Sequence, residues 1–177
     1  GAQKCKPYQP IDRATVEATL PHLPIPVQQM VVIQLECGCR PEHITTMRLC
    51  DIDKSLPDVW AWTPYQDKSG NFQPYTLGTK AQNTIMQASQ RPDGKLATLD
   101  EFLFRPLDAR FVWHKMLRER YDTASYRQAI RRGCEKAGVD KWTPHQLRKL
   151  RGQEIGNKYG TDGVRAILCH TTSGMAD

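Results

Sequence analysis

The sequence predicts a mainly α fold carrying one small antiparallel β-sheet, an α+β chain. Three observations predict it. Capping residues, prolines and glycines punctuate a series of helix-length stretches along most of the chain. Only one pair of β-rich runs occurs, Val59-Trp60-Ala61-Trp62-Thr63 and Phe72-Gln73-Pro74-Tyr75-Thr76-Leu77, separated by a polar turn. At 177 residues and 39% hydrophobic content the chain is long enough to bury one core. Residues 1–10 read as an N-terminal extension or expression remnant, and residues 11–177 as one domain without repeats or linkers.

Asp12 caps a helix over residues 13–20, which Pro21 and Pro24 end. Pro26 opens a second helix over residues 27–35. Its Met30, Val31, Ile33 and Leu35 surround most of the axis, so this helix is buried, and Gly38 stops it. Pro41 then begins a third helix carrying Ile44 and Met47. Arg40 therefore stands at a helix junction, where loop residues tend to carry function, although a surface arginine in a turn fits equally. Asp51-Ile52-Asp53 leaves that helix.

The two β runs form a hairpin with Lys68 at its tip and Pro74 marking the second strand as an edge. Residues 79–88 form a helix, residues 91–95 a loop, and residues 108–121 an amphipathic helix. Ser125-Tyr126-Arg127-Gln128 is a capping box that opens a helix to about Ala137, stopped by Gly138. Arg127, Arg131 and Arg132 give it a basic face, although such a run is usually only a solvated surface.

Trp142-Thr143-Pro144-His145-Gln146-Leu147-Arg148-Lys149 is the stretch around which the rest is arranged. Thr143 caps, Pro144 suits the first helical position and Gln146 completes a Thr-x-x-Gln capping box. His145 and Arg148, three apart, share one face of the first turn. With the turn's unpaired N–H groups they make a surface shaped for phosphate. An ordinary capped helix with solvent-facing polar residues remains the alternative. A last helix, capped by Thr161 or Asp162, runs through Val164, Ile167 and Leu168 to Cys169-His170.

The net charge of +6 and isoelectric point near 9.1 suit a polyanionic partner, without requiring one. Mean hydropathy is −0.61, and neither a membrane span nor a signal-peptide core is visible. The six cysteines lack a Cys-x-x-Cys pair, and Cys37-Gly38-Cys39 has no second half at zinc-site spacing. They read as reduced, buried, structural residues of a cytoplasmic protein.

Three blocks together resemble the catalytic domain of the tyrosine recombinase (phage integrase) family. They are Gly38-Cys39-Arg40-Pro41 with Met47-Arg48-Leu49-Cys50-Asp51-Ile52-Asp53, then Thr143-Pro144-His145-Gln146-Leu147-Arg148, then Ala166-Ile167-Leu168-Cys169-His170. The resemblance runs from about Ile11 to the end and implies the DNA breaking–rejoining fold. It implies that Arg40, His145, Arg148 and His170 bind the phosphate, with Lys68 as the mobile general acid, no metal and no other cofactor. Arg127, Arg131 and Lys149 would contact double-stranded DNA, and the full-length protein would act as a homo-oligomer on nucleoid DNA.

The sequence also departs from the family. His43 stands where glutamate is usual, Lys149 where histidine is frequent, and Cys169 where glycine precedes the histidine. No tyrosine follows His170, and the family's arm-like N-terminal DNA-binding domain is absent. The expectation is a core lacking its C-terminal segment, monomeric alone and unable to cleave DNA. Two other readings stay open: a non-catalytic DNA-binding module that retains the phosphate pocket, and a basic helical adaptor for a protein partner.

Overall fold

A computed structural model of the chain describes residues 11–65, 74–109 and 118–168, with side chains to Arg165. Six α-helices and a three-stranded antiparallel sheet are found among these residues. α1 spans Arg13–Thr19, and the Asp12 carboxylate caps it by accepting the Thr15 N–H at 2.8 Å. α2 spans Ile25–Cys37 and starts a half-turn earlier than the sequence predicts, because prolines are tolerated in a first turn. Its Val27, Met30, Val31, Ile33 and Leu35 are buried, and α4 and α6 pack on it as the central helix. Gly38 ends it in the left-handed region (φ 67°), as a glycine stop should.

α3 covers only Pro41–Ile44, so the predicted helix through Met47 is cut short. The hydroxyls of Thr45 and Thr46 donate to the carbonyl of Glu42 at 3.0 and 3.2 Å, and Thr46 also to that of His43 at 3.0 Å. These side chains take the carbonyls that a further turn would use. Met47 is fully buried all the same.

The sheet has the order β1–β2–β3, with β1 at Ile52–Asp53, β2 at Trp60–Trp62 and β3 at Tyr75–Leu77. The register aligns Ile52, Trp62 and Tyr75 across one rung, and all three are buried. Trp62 and Tyr75 lie with ring centroids 5.4 Å apart. β3 is an edge, as Pro74 implied. β1 was not expected: a two-residue strand shows no alternation to read.

α4, Thr79–Ala88, matches its expectation. The helix expected over residues 108–121 is not α-helical at its two ends, and residues 110–117 lie outside the described residues. Asp108 closes a short 3-10 turn, Ala109 is extended (φ −73°, ψ 135°), and residues 118–121 are outside any helix. Asp108 is instead held by the buried Arg91, whose guanidinium pairs with it at 2.6 Å and with Glu101 at 3.0 Å. α5 runs Thr123–Ala137 and begins before Ser125. Asp122 is the N-cap, accepting the Ser125 N–H at 2.7 Å, while Ser125 Oγ accepts the Asp122 N–H at 2.9 Å. Gly138 stops α5 at φ 69°.

α6 spans Pro144–Leu168 and is broken at Gly160 (φ 72°, ψ −168°), the boundary between the two helices read from the sequence. Its first part is moored at two points. The buried Trp142 donates to Thr19 Oγ1 at 3.0 Å, and Arg13 forks onto Glu154 with two 2.9 Å bonds. Cys37, Cys39 and Cys134 are free and buried as expected, and burial pushes the Cys39 thiol well above its ordinary range. Cys50 corrects the pattern. It is exposed on the turn before β1, with its thiol toward Asp51.

Candidate phosphate-binding site

Three chain segments meet at one end of α2. The loop after α2 turns at Gly38 and delivers Arg40 as the residue capping α3, extended (φ −73°, ψ 149°) and solvent-exposed. α6 begins beside it, with Thr143 N–H donating to Gln146 Oε1 at 2.7 Å, the glutamine half of the predicted capping box, while the Thr143 hydroxyl turns to the same oxygen at 3.3 Å. From the second turn of α6, half-buried Arg148 sends Nη1 to the carbonyl of Gly38. The Arg148 guanidinium is thus bonded to a carbonyl two residues before Arg40, although 108 positions separate the two arginines in sequence.

His145 is exposed and lines a cavity of about 190 Å³ together with Pro41, Arg127, Thr143 and Pro144. Thr123 and Ala124, the first two residues of α5, complete the wall. The cavity therefore faces the N-terminal ends of both long helices, where backbone N–H groups and the positive dipole end favour an anion. Two side chains able to carry positive charge, His145 and Arg127, stand on its wall.

Arg127 occupies the second turn of α5, because the Asp122 cap starts the helix two residues before the predicted one. Arg131 follows one turn later, exposed, 3.8 Å from Glu135. Glu135 also pairs with Lys141 at 3.0 Å, and that hydrogen bond holds its carboxyl below the usual range. Lys149 is exposed and adjacent to Arg148 on α6. Lys68 and His170 lie outside the described residues, between β2 and β3 and just past α6 respectively.

Beneath the surface, sequence reasoning missed the supports. Gln34 is fully buried in α2; its Nε2 donates to the carbonyls of Cys39 and Pro144, each at 3.1 Å. Its Oε1 accepts the Tyr126 hydroxyl at 2.9 Å. Tyr75, from the edge strand, accepts the Arg40 N–H at 3.3 Å and lies 3.1 Å from His43 Nδ1. The one available signal was a glutamine inside the apolar run Met30-Val31-Val32-Ile33-Gln34-Leu35, since buried amides are normally bonded. His43, noted above only as a departure, points inward and is 5% exposed.

Tyr75, Tyr121 and Tyr126 are buried, and burial raises the hydroxyl pKa of Tyr121 to about 12. Tyr65 and Tyr159 are exposed, against Arg48 and Lys158 respectively. Among the described residues no group of three or more His, Cys, Asp or Glu is placed to hold a metal ion. Nor is any described helix long and apolar enough to cross a membrane.

The architecture is the tyrosine recombinase catalytic-core fold, as the three sequence blocks implied. No family model and no curated protein sequence matches the chain. Among solved structures, the Tn1549 transposon integrase in complex with transposon right-end DNA aligns at TM-score 0.66 and 15% identity, over 97% of this chain and 61% of that one. The lambda integrase catalytic core aligns at TM-score 0.65 and 11% identity, over 96% of each chain. XerA recombinase aligns at TM-score 0.64 and 15% identity, over 96% of this chain and 57% of that one. The chain thus spans less than two thirds of the Tn1549 integrase and XerA chains, and about the whole of the lambda core.

Proposed function

We propose that the chain is the catalytic core of a site-specific DNA recombinase or integrase, which cuts and rejoins duplex DNA through a 3′-phosphotyrosine. The observation that carries the reading is the Arg148 guanidinium on the carbonyl of Gly38, two residues before Arg40, together with a cavity that Pro41, next to Arg40, lines with His145 and Arg127. In this reading Arg40 and Arg148 neutralise the non-bridging oxygens of one phosphodiester as charge develops on them. A tyrosine oxygen attacks phosphorus and the bond to the 5′-oxygen breaks. His145 takes the tyrosine's proton, Lys68 delivers one to the departing 5′-oxygen, and His170 donates to the phosphate. The phosphotyrosine conserves the bond energy, so attack by a 5′-hydroxyl reverses the step without a cofactor. Arg127, Arg131 and Lys149 hold the flanking duplex, and the working form is a homo-oligomer assembled on DNA in the cytoplasm.

The nucleophile is a tyrosine that these 177 residues do not place at the required position after His170. The 177-residue chain is therefore expected to be a monomer that binds duplex DNA and forms no covalent adduct on a suicide substrate. With native downstream sequence appended it forms the adduct, and changing the added tyrosine to phenylalanine abolishes it. An adduct from the 177 residues alone overturns the assignment of the nucleophile. Salt-dependent DNA binding with no adduct in the extended protein identifies a non-catalytic DNA-binding module instead.

A further inference from the structure

We propose that Gln34 and Tyr75 are positioning residues that clamp the peptide plane between Cys39 and Arg40, and that Gln34 locks this plane to α5 and α6. The inference rests on the reading of Arg40 as a phosphate ligand. The Cys39 carbonyl and the Arg40 N–H belong to one planar peptide unit. Its oxygen accepts from Gln34 Nε2 at 3.1 Å, and its N–H donates to the Tyr75 hydroxyl at 3.3 Å. A planar unit bonded at both ends is held against rotation. Pro41, buried on the other side of Arg40, restricts the next unit. The Cα–Cβ direction of Arg40 is thereby set by buried groups, while its guanidinium stays in solvent.

Gln34 extends the clamp beyond that plane. Its second N–H reaches the carbonyl of Pro144, the first residue of α6, and its oxygen takes the hydroxyl of Tyr126, one residue before Arg127. One amide with both hydrogens and its oxygen engaged thus joins the three segments that present Arg40, His145 and Arg127. An apolar side chain at position 34 would fill the same space and join none of them. Pre-set geometry matters here because a phosphate ligand held in place gives up less freedom on binding.

The test is a double-mutant cycle on duplex DNA affinity, read by fluorescence anisotropy, with an amide-exchange arm. Tyr75→Phe keeps the ring and removes the hydroxyl, and with it both the bond from the Arg40 N–H and the 3.1 Å contact with His43 Nδ1, so the Arg40→Ala background isolates the part that acts through Arg40. The substitution is expected to weaken binding roughly 2- to 12-fold, the effect of one net hydrogen bond. In an Arg40→Ala background the same change is expected to have no further effect, because Tyr75 acts through Arg40. Additive losses overturn the proposal. In parallel, the Arg40 amide of Tyr75→Phe exchanges with solvent faster than in the wild type while the α2 core amides do not. An unchanged Arg40 exchange rate also overturns the clamp.

The losses from Arg40→Ala and His145→Ala are expected to be non-additive in the wild type, and Gln34→Met, which fills the space without bonding, is expected to accelerate Arg40 exchange and make them additive. Persistence of the non-additivity overturns the link to α6. If the wild-type chain shows no salt-dependent DNA affinity, the functional reading fails, and Arg40 exchange in Tyr75→Phe still decides whether the clamp exists.

Discussion

Arg148→Ala removes the guanidinium that bonds the Gly38 carbonyl beside Arg40. Two losses follow, and they are read separately. A hydrogen bond from a charged donor contributes roughly 1.5–3 kcal/mol, so DNA affinity is expected to fall roughly 10- to 150-fold. One phosphate contact contributes about 0.9 to the slope of log affinity against log salt, so the slope should become shallower by about that amount. Arg148→Lys separates the parts: it retains the charge and therefore most of the slope, but loses the planar fork and most of the affinity. Anisotropy titrations on one duplex between about 50 and 200 mM salt measure both quantities. An Arg148→Ala slope equal to that of the wild type refutes the phosphate contact, however far the affinity falls.

Arg127 lines the same cavity as His145, so Arg127→Ala is expected to weaken binding to all sequences alike. A loss confined to one base pair would show a groove contact instead. Glu154 is held below its ordinary value of 4.5, chiefly by the Arg13 hydrogen bond, so its stabilisation is complete above that pH and fades as pH falls through the lower folded value. Unfolding free energies of the wild type and Glu154→Gln should differ by no more than about 1 kcal/mol at pH 7, since both partners are partly exposed, and converge in acid. At Gly133 an added Cβ would stand 2.4 Å from Leu23 Cδ2 and 3.1 Å from Thr19 Cγ2. Gly133→Ala is expected to cost roughly 1–3 kcal/mol of stability by denaturant titration, and a neutral result would mean that Leu23 swings aside.

The parts of this fold written in local chemistry were legible. Asp12, Gly38, Gly138 and the Thr143–Gln146 pair mark helix ends because each satisfies a backbone requirement within four residues. Elements decided by competition were not. Thr45 and Thr46 end α3 by taking its carbonyls, and Asp122 outcompetes Ser125 for the start of α5. The motifs singled out Arg40, His145 and Arg148, and the Arg148–Gly38 bond places two of those segments together. The polar Gln34 in an apolar run was a hint, but what it and Tyr75 support was not legible, because every partner except Cys39 lies 32 to 110 positions away and no spacing rule connects them. Arg91 escaped for the same reason: its loop sequence says nothing of Asp108, 17 positions on.

In the proposed function one anion-binding face joins the loop of Arg40 to the starts of α5 and α6. Amide chemical-shift mapping tests it most directly, using isotope-labelled protein titrated with a short DNA duplex at low salt. Shifts are expected to concentrate at Arg40, at residues 123–127 and at residues 143–149, saturating together as one site. Shifts confined to other surfaces, such as the exposed residues of α4, with those three segments unmoved, would contradict it.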